Sequence, residues 1–426
     1  MNDLQIDCVR PLLGVACIIF ITYTVSENKR AISWINLVKG LVFQFLLALV
    51  LLKVDLFQDI FVYLNRGVLA VQDATRAGTS TVFGYLGGGG LPFDVTAPEH
   101  VFILGLQALP MILVFSALSA VLYYWQILPK VVGAFAWVLG RLFKIGGACS
   151  FATIATVFVG MVEAPLLINP YLKNLTRSEL LIVLSSGMAT LSGTVLVLYA
   201  SFLKSVVPGA IGHLLVGSII SAPISVMLSL LVVPLLKSPH DLDAKSIKLQ
   251  LHYNGLMDAI STGTLQGLKL LANVLAMLIV LIALVSLANS LLSLLTFWLP
   301  SPVSLQSLVG IVMQPLAWSL GIEWGDTQIV GQLLGTKLVL NEFIAYLDFS
   351  KLPLEVMSDK SRVLMTYLLC GFANFGSLGI VIAGLGAMAP TRRDEVISLG
   401  GRALLVGTLS SCLSSADAAL ILFGFN

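Results

Sequence analysis

Ten apolar stretches divide the chain, at residues 11–25, 34–54, 101–126, 150–172, 179–203, 208–236, 264–299, 308–350, 363–388 and 397–424. A helix crosses the hydrocarbon core in about 20 residues, so most of these are long enough to span it. The stretch at 308–350 is broken by polar residues. The first, from Pro11 to Val25, reads as a short span: Asp3 and Asp7 precede it, and Glu27-Asn28-Lys29-Arg30 follow with no small-residue cleavage site, which is not the layout of a cleaved signal. Asn65 to Phe93 holds Arg66, Asp73, Arg76 and the run Gly87 to Gly90, and reads as an interfacial or loop segment. Pro129 to Lys144 sets Lys130, Arg141 and Lys144 against Val132, Phe135, Trp137, Val138 and Leu142, a pattern for a helix lying in the membrane interface.

Composition agrees with that pattern. Of 426 residues 58% are apolar and 11% charged, and mean hydropathy is +0.97, where a soluble domain carries roughly 25% charge. A water-soluble enzyme is excluded. The pattern predicts an all-α polytopic membrane protein with about eight transmembrane helices. A net charge of +2 with no charged tail gives no footing for nucleic acid; the bilayer is the main partner. Cys8, Cys17, Cys149, Cys370 and Cys412 have no CxxC spacing and read as packing thiols. His100, His213, His240 and His252 are scattered without zinc-site spacing, so no metal cofactor is expected.

The short-loop basic clusters are Lys29-Arg30, Lys130/Arg141/Lys144, Lys173/Arg177, Lys237/Lys245/Lys248 and Arg392-Arg393. All face the cytoplasm if the N-terminus is outside. That orientation requires 150–172 and 308–350 each to enter and leave by one side, as re-entrant hairpins, and leaves Lys351, Lys360 and Arg362 outside.

Two stretches repeat, Gly187-Met188-Ala189-Thr190-Leu191-Ser192-Gly193 and Gly371-Phe372-Ala373-Asn374-Phe375-Gly376-Ser377, an offset of 184. Each follows a broken apolar segment with one acid: Glu163 lies 24 residues before Gly187, and Glu342 lies 29 before Gly371. Small and polar residues loosen a membrane helix, and its freed backbone groups are tolerated only beside protein or water. Transporters pair such discontinuous helices at a midplane binding site, although small residues also serve close helix packing. A carboxylate at the bilayer centre costs on the order of 3 kcal/mol, so each acid must meet water, a donor-rich ligand or a cation. Both acids can accept hydrogen bonds from a solute or take a proton.

These residues resemble the concentrative nucleoside transporter family. The matches are Gly160 with Glu163-Ala164-Pro165-Leu166; Thr176-Arg177-Ser178-Glu179; Gly335, Lys337 and Asn341-Glu342-Phe343 to Ala345-Tyr346; Cys370-Gly371-Phe372-Ala373-Asn374; and Gly384-Leu385-Gly386 with Ala389-Pro390 before Arg392-Arg393. Ala108-Leu109-Pro110, Phe115-Ser116-Ala117-Leu118 and Val121-Leu122-Tyr123-Tyr124 fit its third span. The resemblance implies a homotrimer of eight-span protomers in the cytoplasmic (inner) membrane of a bacterium, with two re-entrant hairpins in an inverted repeat and an elevator motion. Scaffold helices would occupy 1–126; 127–236 would be the first repeat of a transport domain; 237–300 a cytoplasmic loop and long scaffold helix; and 301–426 the second repeat.

By the same resemblance Glu342, Asn374 and Ser377 take the ribose, Phe372 walls the site, and Gly160, Met161, Val162, Glu163 and Val195 lie on the nucleobase side. A sodium site falls on Thr156, the Val159 carbonyl, Thr190 and the Leu191 carbonyl. Two departures bear on this. Relatives read Gly-Gln-Thr-Glu where this chain reads Gly160-Met161-Val162-Glu163; Met and Val cannot hydrogen-bond a base edge, so the usual pyrimidine preference is not expected. Sodium-coupled relatives tend to carry Asn at Thr156, which leaves sodium and proton as alternative coupling ions. Asp417 is expected near the outer headgroups or against a neighbouring helix, Lys269 to reach the interface, and Lys337 to be able to pair with Glu342. The competing classes are a symporter of another small polar solute, a membrane-embedded enzyme using Glu163 and Glu342, and a passive channel.

Overall fold

The computed structural model describes residues 3–94, 101–236, 253–296, 298 and 303–424. Lys237, Lys245, Lys248, His100, His240, His252 and the side chain of Cys8 lie outside that description. The apolar stretches become helices in chain order: α1 (Asp3–Thr24), α2 (Trp34–Lys53), α3 (Asp55–Phe83), α4 (Leu104–Gln107), α5 (Met111–Tyr124), α6 (Ile127–Phe143), α7 (Gly147–Ala155), α8 (Glu163–Leu167) and α9 (Arg177–Ala189). There follow α10 (Gly193–Leu203), α11 (Ala210–Val232), α12 (Leu256–Leu295), α13 (Leu305–Ser319), α14 (Thr327–Val339), α15 (Glu342–Ser350), α16 (Asp359–Leu369), α17 (Phe375–Met388) and α18 (Arg393–Ala419).

Among the described residues, six helical segments are long and apolar enough to cross a membrane: Trp34–Lys53, Leu104–Tyr124, Arg177–Leu203, Ala210–Val232, Leu256–Leu295 and Pro390–Gly424. Two shorter apolar ones, Val9–Thr24 and Phe375–Met388, complete a set of eight. The stretch read as an interfacial or loop segment is helical through Phe83, in the amphipathic α3, and breaks only at Gly84 (φ +60°). α6 is the amphipathic helix its pattern predicts: Leu128, Val132, Ala136, Leu139 and Phe143 form its buried stripe, while Arg141 lies 4.7 Å over the Trp137 ring.

Buried helices α9, α11 and α18 form the centre, with α1 and α2 packed on α11 and α18. To one side α5 lies along α12, whose 40 residues make a rod about 60 Å long at 1.5 Å per residue. Glycines bring the pair close: a Cβ at Gly263 would stand 2.8 Å from the Ser116 carbonyl oxygen, and one at Gly267 2.9 Å from Ser116 Cβ.

Two broken units each return to the end of the molecule they left. The first runs from α7 to residue 175, and its ends meet where Glu179 accepts hydrogen bonds from the amides of Gly146 (2.8 Å) and Thr176 (2.8 Å). Thr176 and Glu179 form a capping box that starts α9. The second runs from α14 to residue 357, and its ends meet where Asp326 accepts from the Ser358 amide (3.2 Å) and hydroxyl (2.9 Å). The closures sit at opposite ends of α1. Arg177 and Arg402 bind Glu27 beyond the α1 C-terminus, whereas Arg10 near its N-terminus donates to the Ile322 carbonyl. The repeat is therefore inverted. Lys29-Arg30, Arg177 and Arg392 collect at the first end, where Arg392 donates to the Leu172 carbonyl at 3.2 Å. Arg362, expected outside, is buried at the second end on the Met357 and Pro353 carbonyls.

The two spans that carry the repeated motif, α9–α10 and α16–α17, unwind at residues 190–192 and 370–374. The breaks cross in contact. Gly371 has φ +129°, and a Cβ there would lie 2.8 Å from the Ala189 carbonyl oxygen and 2.9 Å from that of Met188. Both the left-handed backbone and the close approach demand glycine. Gly371→Ala is expected to destabilise the fold by about 1–3 kcal/mol or more, read as a lower unfolding temperature in detergent; an unchanged temperature would show the crossing is looser than described.

Glu27 gives a second expectation. Its hydrogen bond with Arg177 (2.7 Å), aided by the charge of Arg402, holds its carboxyl below the usual carboxylate range. A depressed folded-state value contributes stability at neutral pH that is lost as pH falls through that value. For a partly exposed pair the contribution is about 1 kcal/mol or less. The drop in unfolding temperature between pH 7 and pH 3.5 should be smaller in Glu27→Gln than in the unsubstituted protein; equal drops would assign the acid sensitivity elsewhere.

Candidate functional site

Each acid singled out by the sequence is the first residue of the second helix of its broken unit, Glu163 in α8 and Glu342 in α15. A carboxylate there is favoured by the unpaired amides of the first turn. Around Glu342 the side-chain donors come from two elements. Its Oε1 accepts from the Tyr199 hydroxyl of α10 at 2.8 Å, and its Oε2 accepts from Asn374 Nδ2 at 2.7 Å. Asn374 caps α17, taking the Ser377 amide on its Oδ1 at 2.7 Å, and its Nδ2 also donates to the Phe372 carbonyl at 3.2 Å. Asn341 caps α15 through the Ile344 amide at 2.9 Å. Tyr199 is held by a stacked Tyr346 at 4.5 Å, whose hydroxyl donates to the Thr366 carbonyl at 3.0 Å. Glu342 is 6% exposed. Each of its oxygens has one side-chain donor, and a carboxylate oxygen can accept more than one hydrogen bond.

The first break differs in exposure. Residues 156–162 turn at Gly160 (φ +118°), where a Cβ would stand 2.6 Å from Glu163 Oε2. The Gly193 amide donates to the Phe158 carbonyl at 3.2 Å, which fastens this tip to the break at 190–192. Met161 packs on Gly187, its Cβ 2.9 Å from the position of a Cβ there, and Val162 packs on Gly384 at 3.1 Å. Glu163 is partly exposed and lines a cavity of about 80 Å³ between this tip, α5 and α12, together with Val159 and Thr194. Val195 is buried on α10, one turn from Tyr199.

The structure thus gathers Glu342, Asn374, Ser377 and Phe372 around one carboxylate, and Gly160 and Val159 around the other. Met161 and Val162 face helices α9 and α17 and do not line the Glu163 cavity. Tyr199 was not singled out in the sequence, because a tyrosine in an apolar run reads as packing. Lys337 does not pair with Glu342: its Nζ donates to the Leu368 carbonyl at 2.8 Å and the Ser411 hydroxyl at 3.1 Å. Asp417 is buried in α18 against its neighbours, and its Oδ2 has no hydrogen-bond partner.

The residues expected to hold a cation supply neutral oxygen. Thr156 donates its hydroxyl proton to the Thr153 carbonyl at 2.7 Å, and Thr190 donates to the Ser186 carbonyl at 2.9 Å. Both protons point into a helix, so the oxygen lone pairs remain available to a hard cation. The Leu191 amide and carbonyl are both engaged by the Ser218 hydroxyl, at 3.1 and 3.0 Å, which fixes the carbonyl direction. Among the described residues no His, Cys, Asp and Glu cluster suits a transition metal.

Comparison with known proteins agrees with this geometry. Residues 13–86 match the "Na+ dependent nucleoside transporter N-terminus" family, 105–206 "Nucleoside recognition", and 213–419 the "Na+ dependent nucleoside transporter C-terminus". The nucleoside permease NupC of Helicobacter pylori is 32% identical, covering 96% of this chain and 97% of its own. Sodium/nucleoside cotransporter 1 of mouse is also 32% identical, with 96% of this chain covering 63% of that longer protein. The structure of CNTnw in an inward-facing substrate-bound state superposes with a TM-score of 0.88 at 31% identity over 98% of both chains. The family is one of transporters and not of enzymes. The chain belongs to the concentrative nucleoside transporter family.

Proposed function

We propose that the protein is a cation-coupled symporter that drives nucleoside uptake across the cytoplasmic membrane of a bacterium. The observation that carries this reading is the buried Glu342, clamped by Tyr199 and Asn374 where the starts of α15 and α17 meet α10, with carboxylate oxygens that can accept further hydrogen bonds from sugar hydroxyls. Glu342, Asn374 and Ser377 take the ribose, Phe372 walls it, and the base lies toward Gly160, Glu163 and Val195. Met161 and Val162 shape the tip from behind, because they pack on Gly187 and Gly384. The two closed broken units are re-entrant hairpins, and a transport domain of 127–236 and 301–426 slides past α5 and α12 as an elevator. Inward- and outward-facing structures of CNTnw superpose on this chain at TM-scores of 0.88 and 0.86, and relatives include the permease of Helicobacter pylori. The long apolar α12, exposed along most of its length, is the face for trimer assembly.

Sodium is the coupling ion on this reading, held by Thr156, Thr190 and the carbonyls of Val159 and Leu191. The arrangement of the two hydroxyl protons and the sodium-dependent relatives support it over proton coupling. Glu342→Gln keeps the size and one acceptor oxygen but loses the charge. It should lower concentrative uptake by proteoliposomes at least about 100-fold, from loss of charge-assisted hydrogen bonds of roughly 1.5–3 kcal/mol each, while the protein stays folded; full uptake would refute the site. Thr190→Val removes one cation oxygen. In vesicles with an imposed sodium or pH gradient, it should raise the half-saturating sodium concentration about tenfold or more and leave any response to pH alone unchanged. Uptake driven by the pH gradient with sodium absent would assign the coupling to a proton.

A further inference from the structure

The cavity beside Glu163 has a second polar wall. Tyr123, near the end of α5, lines it, is 4% exposed, and has a buried hydroxyl without a hydrogen-bond partner. Its ring is fixed edge-on to Tyr253, centroids 6.1 Å apart at 86°. An unsatisfied buried hydroxyl is costly and uncommon, and here it belongs to a residue that lines the same cavity as Glu163. We propose that Tyr123 is a specificity-determining residue that hydrogen-bonds the substituent at the 6-position of a purine nucleoside; this rests on the nucleoside reading above.

Three features fit that ligand. The cavity, about 80 Å³, has room for a few waters or the edge of a ring and not for a whole nucleoside; the sugar must lie elsewhere, as Glu342 provides. Its walls combine Phe158, Leu166 and Leu167 with the hydroxyls of Ser116, Ser119 and Thr194, suited to a flat apolar ring with a polar rim. Of the tip residues, Met161 and Val162 do not line this cavity and carry no group that can hydrogen-bond a base edge, so beyond Glu163 the side-chain polar groups around it come from α5, α10, α12 and Tyr253 just ahead of α12. A tyrosine hydroxyl both donates and accepts. It serves a 6-amino or a 6-oxo group, whereas a base with hydrogen at that position leaves it unpaired.

Tyr123→Phe keeps the ring and its contact with Tyr253 and removes only the hydroxyl. Proteoliposomes containing the full chain would be assayed for uptake of labelled adenosine and of purine riboside, which lacks the 6-amino group. The unsubstituted protein should favour adenosine by about five- to tenfold in half-saturating concentration, the worth of one buried hydrogen bond. In Tyr123→Phe the two values should converge to within about twofold. A ratio between two substrates does not depend on the amount of folded protein, so a merely structural effect would leave it in place. A preference retained in Tyr123→Phe overturns the assignment while nucleoside transport stands. Failure of the unsubstituted protein to take up either compound while it takes up uridine overturns the assignment alone; failure to take up all three overturns the nucleoside reading as well.

Discussion

A carboxyl group inside a lipid-spanning bundle has to be given hydrogen-bond donors by the protein itself, and a continuous helix has none to spare, because its amides are spent on its own ladder. Interrupting a helix releases donors at the interruption. Four interruptions serve the two acids here: the tips before Glu163 and Glu342, and the unwound segments at 190–192 and 370–374. Glu342 is coordinated by a residue from the wall of one broken span, Tyr199, and by the cap of the other, Asn374. Much of the bundle follows from holding these interruptions together. Ser218 occupies both backbone groups of Leu191, the Gly193 amide occupies the Phe158 carbonyl, and Gly371 lets one break lie against the other.

The parts of this arrangement that the sequence exposed are those in which polarity contradicts depth. An acid within an apolar run, or a run of Gly, Ala, Ser and Thr in mid-span, conflicts with its surroundings, and that conflict is visible without coordinates. Basic clusters placed both broken units as returns to one side, and the structure brings Glu179 to Gly146 and Asp326 to Ser358 accordingly. What stayed hidden obeys both rules at once. Tyr199 and Tyr123 are apolar in bulk and polar at one atom, so neither interrupts a hydrophobic pattern. The repeat also misled in register. The motifs align at an offset of 184, whereas the acids that occupy equivalent helix positions, 163 and 342, are 179 apart. In the first copy Thr190 ends α9, while its counterpart Asn374 begins α17. The same short string marks opposite edges of the two breaks.

Lys337 shows why pairing cannot be read from proximity in sequence. It lies five residues before Glu342 and shares its hairpin, yet it ends α14 and its ammonium crosses to the C-terminal turn of α16. There it meets the Leu368 carbonyl, one of those the break at 370–374 leaves without a helical partner. A cation at the C-terminal ends of two helices is favoured by both dipoles. Glu342, at the start of the following helix, is favoured by the opposite end. Separation of the two charges into their own helix termini satisfies each without a salt bridge, and it leaves the carboxylate free to bind something else.

That division of labour bears on how the site moves. Through Lys337 the second hairpin is fastened to α16 and, by Ser411, to α18. Through Phe158 the first hairpin is fastened to α10. The crossing at Gly371 joins α9 to the α16–α17 break, and Gly407 of α18 lies against both, a Cβ there falling 2.7 Å from Met188 Cβ and 3.2 Å from Ala373 Cβ. Opening one hairpin alone would uncover buried carbonyls and a buried ammonium, each costly to leave unpaired. The contacts of this body with α5 and α12 are of another kind: the first hairpin faces them across a cavity lined in part by short hydroxyl side chains. Displacement of the whole body along that weaker boundary leaves every hydrogen bond around Glu342 in place. Relocation of an intact site, the elevator motion proposed above, is therefore the reading this bonding pattern supports over the opening of a gate within it.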